Sequence, residues 1–230
     1  MQFINNYVEP ETIANEFNSY FNSISITLSD NINNNLTVFE SYLDDQIQES
    51  DNFHQTSIRE ITKIIKNLTN SNSVGWDNIP TNILKTNVMT LAPILSNLIN
   101  KSLSQGLFRQ SLKRANTSPL FKSKDKLNIA NYRTISILPV ISKVYEKVFY
   151  SRIYDNFSTN NILSSSQFGF RSGASTEHAL LKFTDDILKY FDDNKVRIAR
   201  FMDLSKAFDC VYDKILLTKI KRYGVYSPSL

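Results

Sequence analysis

The sequence has one cysteine, Cys210, so no intramolecular disulfide framework can form, and the composition fits a reducing compartment. No apolar run reaches the roughly 18 residues needed to cross a bilayer. The N-terminus, MQFINNYVEPETIANEF, carries an early acid at Glu9 and no basic region, so it does not read as a secretory signal. The first 50 residues hold no Lys or Arg, and no internal repeat is visible. These absences exclude disulfide-stapled secreted scaffolds and helical membrane spans. The expectation is a soluble, intracellular protein without membrane partners.

What is present is ordinary globular material. Of 230 residues, 41% are hydrophobic, 12% aromatic and 21% charged, enough for one large domain or two small ones. The net charge of +4 hides an asymmetry. Residues 1–50 carry eight acids and no base, whereas residues 101–150 carry ten Lys or Arg against two acids. Either the basic middle meets an anionic partner, or the acidic head folds over it.

Local signals place most elements. Asn-rich stretches at 31–35 and 67–72 read as loops. Ser57 and Glu60 form a capping box ahead of Ile58, Ile61, Ile64, Ile65 and Leu68, which predicts an amphipathic helix over 57–68. A second helix is expected at 88–105, with Leu91, Ile94, Leu95, Leu98, Ile99 and Leu103 as its buried stripe and Gly106 as its C-terminal cap. Strands are expected at 116–122 and 132–138, joined by the polar run from Asp125 to Asn131. Further helices are expected at 140–156 and 175–192, separated by a small-residue loop at 164–176. VRIARFM at 196–202 reads as a buried strand, and Asp213 as the cap of a last helix ending at Gly224. The class is α+β, with no regular βαβ alternation.

Asp203 directly follows the apolar run ending in Phe201-Met202. A carboxylate at a strand end is held rigidly, as two-metal phosphoryl-transfer sites require for ions roughly 3.5–4 Å apart; it serves equally as a turn cap. Lys122 and Arg133 lie on the two expected strands of the most basic segment, one a point charge and the other a planar fork for phosphate oxygens, or else solvated surface cations. Arg171 and Gly173 share a loop whose glycines permit close backbone approach to a ligand.

In order along the chain, these pieces resemble the reverse transcriptase of non-LTR, LINE-like retrotransposons, particularly the Jockey-like group. VGWDNIP at 74–80 and the following helix look like the upstream N-terminal extension motif. PLFKSKDKLNIANYRTISILPVISKVYEK at 119–147 and QFGFRSGAST at 167–176 look like the two fingers motifs, and FMDLSKAFDCV at 201–211 like the first palm motif. IANEFNSYFNSI at 13–24 is similar to the leader these polymerases place before the fingers. The resemblance implies a partial right-hand polymerase: an acidic leader over 1–50, a helical N-terminal extension over 51–112, fingers over 113–194, and the first palm strand with its helix over 195–230. It implies Asp203 as catalytic metal ligand for two Mg²⁺ ions, and Phe208 as the aromatic gate beside the sugar. It also implies Arg133 and Lys122 on the incoming triphosphate, and Gln167, Gly169, Arg171 and Gly173 near template and nucleotide. RNA template, DNA primer and dNTP are the implied partners, and the nucleus the implied place of action, although no targeting signal is evident.

Departures from the family pattern also carry expectations. Thr134 stands where the family has proline, which returns a backbone N–H and loosens φ. Leu112 stands where the family has tryptophan, with some packing lost. The family's aromatic-x-Asp-Asp hairpin does not occur between Asp203 and Leu230, so the chain is expected to be truncated within the palm and inactive alone. Tyr190-Phe191-Asp192-Asp193 has matching letters but precedes Asp203, and reads as an acidic helix end running into a turn at Asn194. The alternative to a polymerase segment is a non-catalytic nucleic-acid-binding remnant or degenerate element copy. A structural protein that binds another protein through its acidic head is a third possibility.

Overall fold

A computed structural model describes residues 9–30, 53–204, 207–208 and 211–225. The chain divides into two units, one drawn from residues 1–154 and 208–230 and the other from 155–207.

The first unit is built on helices. Helix α1 (Pro10–Asp30) occupies part of what composition marked only as an acidic, Asn-rich leader; the 31–35 stretch lies outside the described residues. Next come α2 (Ile58–Asn67), the short α3 (Thr81–Thr86), α4 (Val88–Gln105) and the single turn α5 (Gln110–Lys113). Helix α6 (Val140–Thr159) follows the hairpin described below, and its first four turns complete this unit's core. Ile61 and Ile65 of α2, Leu84 of α3, Ala92 and Ile99 of α4, and Val144 and Val148 of α6 form one buried cluster.

Both ends of the early helices follow their sequence signals. Ser57 Oγ accepts the Glu60 amide at 3.1 Å, half of the expected capping box. The returning half is missing: the Glu60 carboxylate instead accepts the Thr56 hydroxyl at 2.8 Å and pairs with Arg152 at 2.8 Å. Gly106 closes α4 at φ 63°, a left-handed conformation that costs glycine little, and its N–H donates to the Ser102 carbonyl. Pro93 lies on the exposed side of α4, where the freed Met89 carbonyl meets water. The expected stripe of α4 needs correction. Val88, Ala92, Leu95 and Ile99 are buried with Ser96 and Ser102, whereas Ile94 and Leu98 are exposed.

Strands β1 (Asn116–Phe121) and β2 (Tyr132–Ile137) form an antiparallel hairpin, the one sheet among the described residues. Its register pairs Phe121 with Tyr132, Leu120 with Arg133, and Pro119 with Thr134. The connection is an Asp125-centred turn: the carboxylate of Asp125 accepts the Leu127 amide at 2.9 Å, and its carbonyl accepts Asn131 Nδ2 at 2.8 Å. Gly75 docks its loop against the strand's exit, since a Cβ there would stand 2.5 Å from the Pro139 nitrogen. Trp76 Nε1 donates to the Ser111 carbonyl at 3.1 Å under the Arg114 guanidinium. Leu112 packs partly buried against the core, and its carbonyl accepts the Ser142 hydroxyl at 2.8 Å.

Helix α8 (Asp213–Arg222) ends the described part of this unit. Asp213 is its first residue rather than its cap, which is Tyr212 without a side-chain hydrogen bond. The carboxylate still favours the helix N-terminus through its charge.

The second unit holds the 164–175 loop, helix α7 (Thr176–Asp192) and an extended run beyond it. Ser175 caps α7 by accepting the His178 amide at 3.3 Å. Tyr190-Phe191-Asp192-Asp193 is the end of this helix, followed by Asn194 at φ 52°, in keeping with the helix-end reading. The buried strand expected over 196–202 is not formed. Val196 is 92% exposed and Ile198 91%, and the run lies along α7 through Arg197 over the Tyr190 ring and Phe201 against Phe183. A strand requires a hydrogen-bonded neighbour, and no strand pairs with it among the described residues. No helix among the described residues is long and apolar enough to cross a membrane.

Candidate nucleotide interface

The hairpin positions Lys122 and Arg133, the two cations for which the family resemblance implies a triphosphate. Successive strand residues point to opposite faces. Opposed pairs share a face, so Leu120, Arg133, Ser118 and Ile135 lie on one side, and Phe121, Tyr132, Pro119 and Thr134 on the other. Lys122 lies one residue past β1, yet its N–H donates to the Asn131 carbonyl at 2.9 Å and continues the ladder by one rung. Lys122 therefore falls on the Arg133 face as its diagonal neighbour, with Cα atoms roughly 7–8 Å apart. Both residues are exposed, as are Leu120 and Ile135 around them. The result is an open face with two adjacent positive charges on an apolar floor. Such a face suits a polyanion bearing a planar, less polar part.

The ladder also explains the threonine. The Lys122 bond makes 122 and 131 a hydrogen-bonded pair, and such pairs alternate along an antiparallel ladder. Leu120–Arg133 is then hydrogen-bonded, and Pro119–Thr134 is not. Pro119 has no N–H and occupies a position that needs none, and the Thr134 N–H faces away from β1.

The other predicted residues are placed separately. In the second unit, Gln167 Nε2 donates to the Gly169 carbonyl at 3.1 Å, and Arg171 Nη1 donates to the Ser164 carbonyl at 2.6 Å. The Arg171 fork thus closes its own loop. Gly173 holds φ 75°, which favours glycine, and Phe170, three residues earlier, is exposed at φ 57°. A Cβ on Gly169 would meet open space, so its backbone is approachable.

Asp203 is exposed within the extended run rather than seated at a strand end. Phe208 is exposed in the first unit. Asp209 and Cys210 lie outside the described residues. No group of three His, Cys, Asp or Glu side chains that could hold a metal ion occurs among the described residues. The described residues do not make up the set that two Mg²⁺ ions need.

Sequence reasoning passed over one buried charge. Arg152 has a side chain 3% exposed. It grips the Glu60 carboxylate with both guanidinium nitrogens, at 2.9 and 2.8 Å, and its Nε donates to the His54 carbonyl at 3.1 Å. The Arg152 hydrogen bonds hold the Glu60 carboxyl below its ordinary value. Arg152 stands four residues after Val148 and eight after Val144, so it continues an apolar row, a signal of burial visible in the sequence.

Residues 122–229, just under half of the chain, match the family model described as reverse transcriptase (RNA-dependent DNA polymerase). Curated relatives extend the likeness upstream. The chain is 33% identical over 180 residues to "Probable RNA-directed DNA polymerase from transposon BS" of Drosophila melanogaster, covering 75% of this chain and 20% of that protein. It is 30% identical over 164 residues to the corresponding protein from transposon X-element of the same species, covering 71% and 18%. The RNA-directed DNA polymerase from mobile element jockey, also of that species, is 25% identical over 192 residues, covering 83% and 21%. The chain thus spans about a fifth of the length of the curated relatives it matches.

Proposed function

From the premise that this chain belongs to the reverse transcriptases of non-LTR retrotransposons, we propose that it is the nucleotide-receiving part of an RNA-directed DNA polymerase. In the complete enzyme, a primer 3′-hydroxyl attacks the α-phosphate of a dNTP opposite an RNA template, and pyrophosphate leaves. The observation that carries this reading is the shared open face of Lys122 and Arg133 inside the family-matched segment. Lys122 supplies a compact charge and Arg133 a planar fork, together neutralising the triphosphate as negative charge builds on it.

The finer assignments follow the resemblance. Residues 51–112 form the N-terminal extension, 113–194 the fingers, and the palm begins at 195. Gln167, Gly169, Arg171 and Gly173 border template and nucleotide, with Arg171 acting through the loop it closes. Phe208 borders the sugar. Reverse transcriptases use divalent metal ions, and Asp203 contributes one ligand here; the others come from outside the described residues. The resemblance makes the nucleus the place of action.

Primer extension on poly(rA)–oligo(dT) with dTTP tests the assignment. A polypeptide continuing from this segment through the aromatic-Asp-Asp motif is expected to incorporate nucleotide and to lose incorporation on Asp203→Ala. The 230 residues alone are expected to bind template–primer without extending it. Incorporation that survives Asp203→Ala would sink the assignment of that carboxylate.

A further inference from the structure

The two faces of the hairpin have different fates. The Lys122–Arg133 face is open, while helix α1 covers the opposite face at its Phe121–Tyr132 end and leaves Pro119 and Thr134 exposed. Phe17, 7% exposed, is the one buried residue among the described side chains of α1. Its ring meets Tyr132 edge-on at 4.9 Å between centroids, and Tyr132 meets Phe121 at 5.4 Å. Phe21 stacks on Phe17 at 5.8 Å, and the Tyr132 hydroxyl donates to the Lys126 carbonyl at 2.9 Å. One aromatic chain thus runs from α1 through both strands to the turn.

We infer that α1 braces the hairpin from behind, and that Phe17 is a positioning residue for the triphosphate-binding face. This rests on the reading of Lys122 and Arg133 above. A two-stranded sheet is marginal by itself and needs a packed face to hold its pleat and twist. Tyr132 and Arg133 are consecutive, so the pleat that buries one ring aims the other side chain outward. Fixing Tyr132 against Phe17 therefore fixes the direction of Arg133, and Phe121 does the same for Lys122 beside it. The brace is only one ring deep. Beside Phe17 runs an apolar groove of about 230 Å³, lined by Ile13, Ala14, Phe21, Thr117 and Pro119 among others. Neighbouring side chains do not fill in behind the ring, and its loss frees the hairpin. The main core around Ile61 and Val144 does not include Phe17, so the brace can fail while the helices stay folded.

The test uses the 230-residue chain and its Phe17→Ala, Phe17→Leu and Arg133→Ala variants. Titration calorimetry with dTTP at low salt measures affinity, and hydrogen exchange reads the amides of β1 and β2. Arg133→Ala is expected to weaken dTTP at least about tenfold. Phe17→Ala is expected to weaken it about three- to tenfold with helical circular dichroism retained, and to speed exchange across the hairpin. Phe17→Leu, which keeps the apolar contact and loses the edge-on ring, is expected to fall between parent and alanine variant. Parental dTTP affinity in both Phe17 variants, with Arg133→Ala weakened, overturns the brace alone. No dTTP binding by the parent, or no effect of Arg133→Ala, overturns the hairpin reading and the brace with it.

Discussion

Arg152 and Glu60 show how one buried cation can hold distant segments. A charge in low dielectric is tolerable only when fully hydrogen-bonded, and here the guanidinium is shared between the partly exposed Glu60, the His54 carbonyl and the Ser151 hydroxyl. Arg152→Ala leaves the partly exposed Glu60 without its fork and is expected to cost about 1.5–3 kcal/mol in urea denaturation. Arg152→Lys cannot reproduce the bidentate grip and should fall between the two. The pH dependence has a definite sign. The Glu60 carboxyl titrates below its ordinary value of 4.5 in the folded chain, chiefly through the Arg152 hydrogen bonds. Its contribution is complete above about 4.5 and is lost as pH falls through the lowered folded value. Acid unfolding of the parent should therefore steepen below that point, and Glu60→Gln should flatten it. Sequence pattern alone could not supply the partner. The row Val144, Val148, Arg152 marks a buried position on α6, but Glu60 lies 92 residues away.

Elements whose signals are local were legible in the sequence. Ser57 and Gly106 mark a helix start and a helix end through bonds made within a few residues, and both are found as expected. The face of α4 was harder to read, because Leu91, Ile94, Leu95, Leu98 and Ile99 form one apolar stripe, and the buried face is turned from it toward Ala92 and Ser96. The choice falls to polar residues: Ser96 donates to the Thr56 carbonyl at 3.1 Å, and Asn100 takes both the amide and the carbonyl of Thr56. Helix α1 was missed because Asn, Ser and Thr have poor helix propensity. The run 196–202 was misread because a strand depends on a partner outside itself. For the candidate site, Lys122 and Arg133 were legible as residues, but their shared face required the register. That register makes a prediction at this scale. Thr134→Pro removes no ladder bond and should change stability by less than about 1 kcal/mol. Ile135→Pro, one residue on, removes the N–H of a hydrogen-bonded pair and should cost more than about 1 kcal/mol, read by thermal melting and hairpin hydrogen exchange.

Across the whole molecule, charge predicts behaviour toward nucleic acid. The ten bases of residues 101–150 include both hairpin cations, so template–primer affinity should fall linearly on a log–log salt plot. Lys122→Ala and Arg133→Ala should each reduce that slope by about one, on any primer sequence. A flat plot for the parent would remove phosphate contact from the account. Apolar exposure predicts a second behaviour. Val196, Ile198, Phe201, Met202 and Leu204 are all exposed, and Leu180, Leu188 and Phe191 of α7 are further exposed apolar residues of the same unit. The chain should bind a hydrophobic dye, and Ile198→Lys should reduce both dye binding and concentration-dependent association.

The grip of Arg152 on Glu60 also sets a timetable. A ribosome adds roughly 5–20 residues each second, so some 5–20 seconds separate the synthesis of the acid from that of its cation. During that interval α2 can form its capped turns, but the carboxylate lacks its fork and the His54 carbonyl lacks the Arg152 donor. The helical core is thus completed late, when α6 emerges, and synthesis that stalls before Arg152 leaves a nascent chain in which Glu60 has no cation to close on.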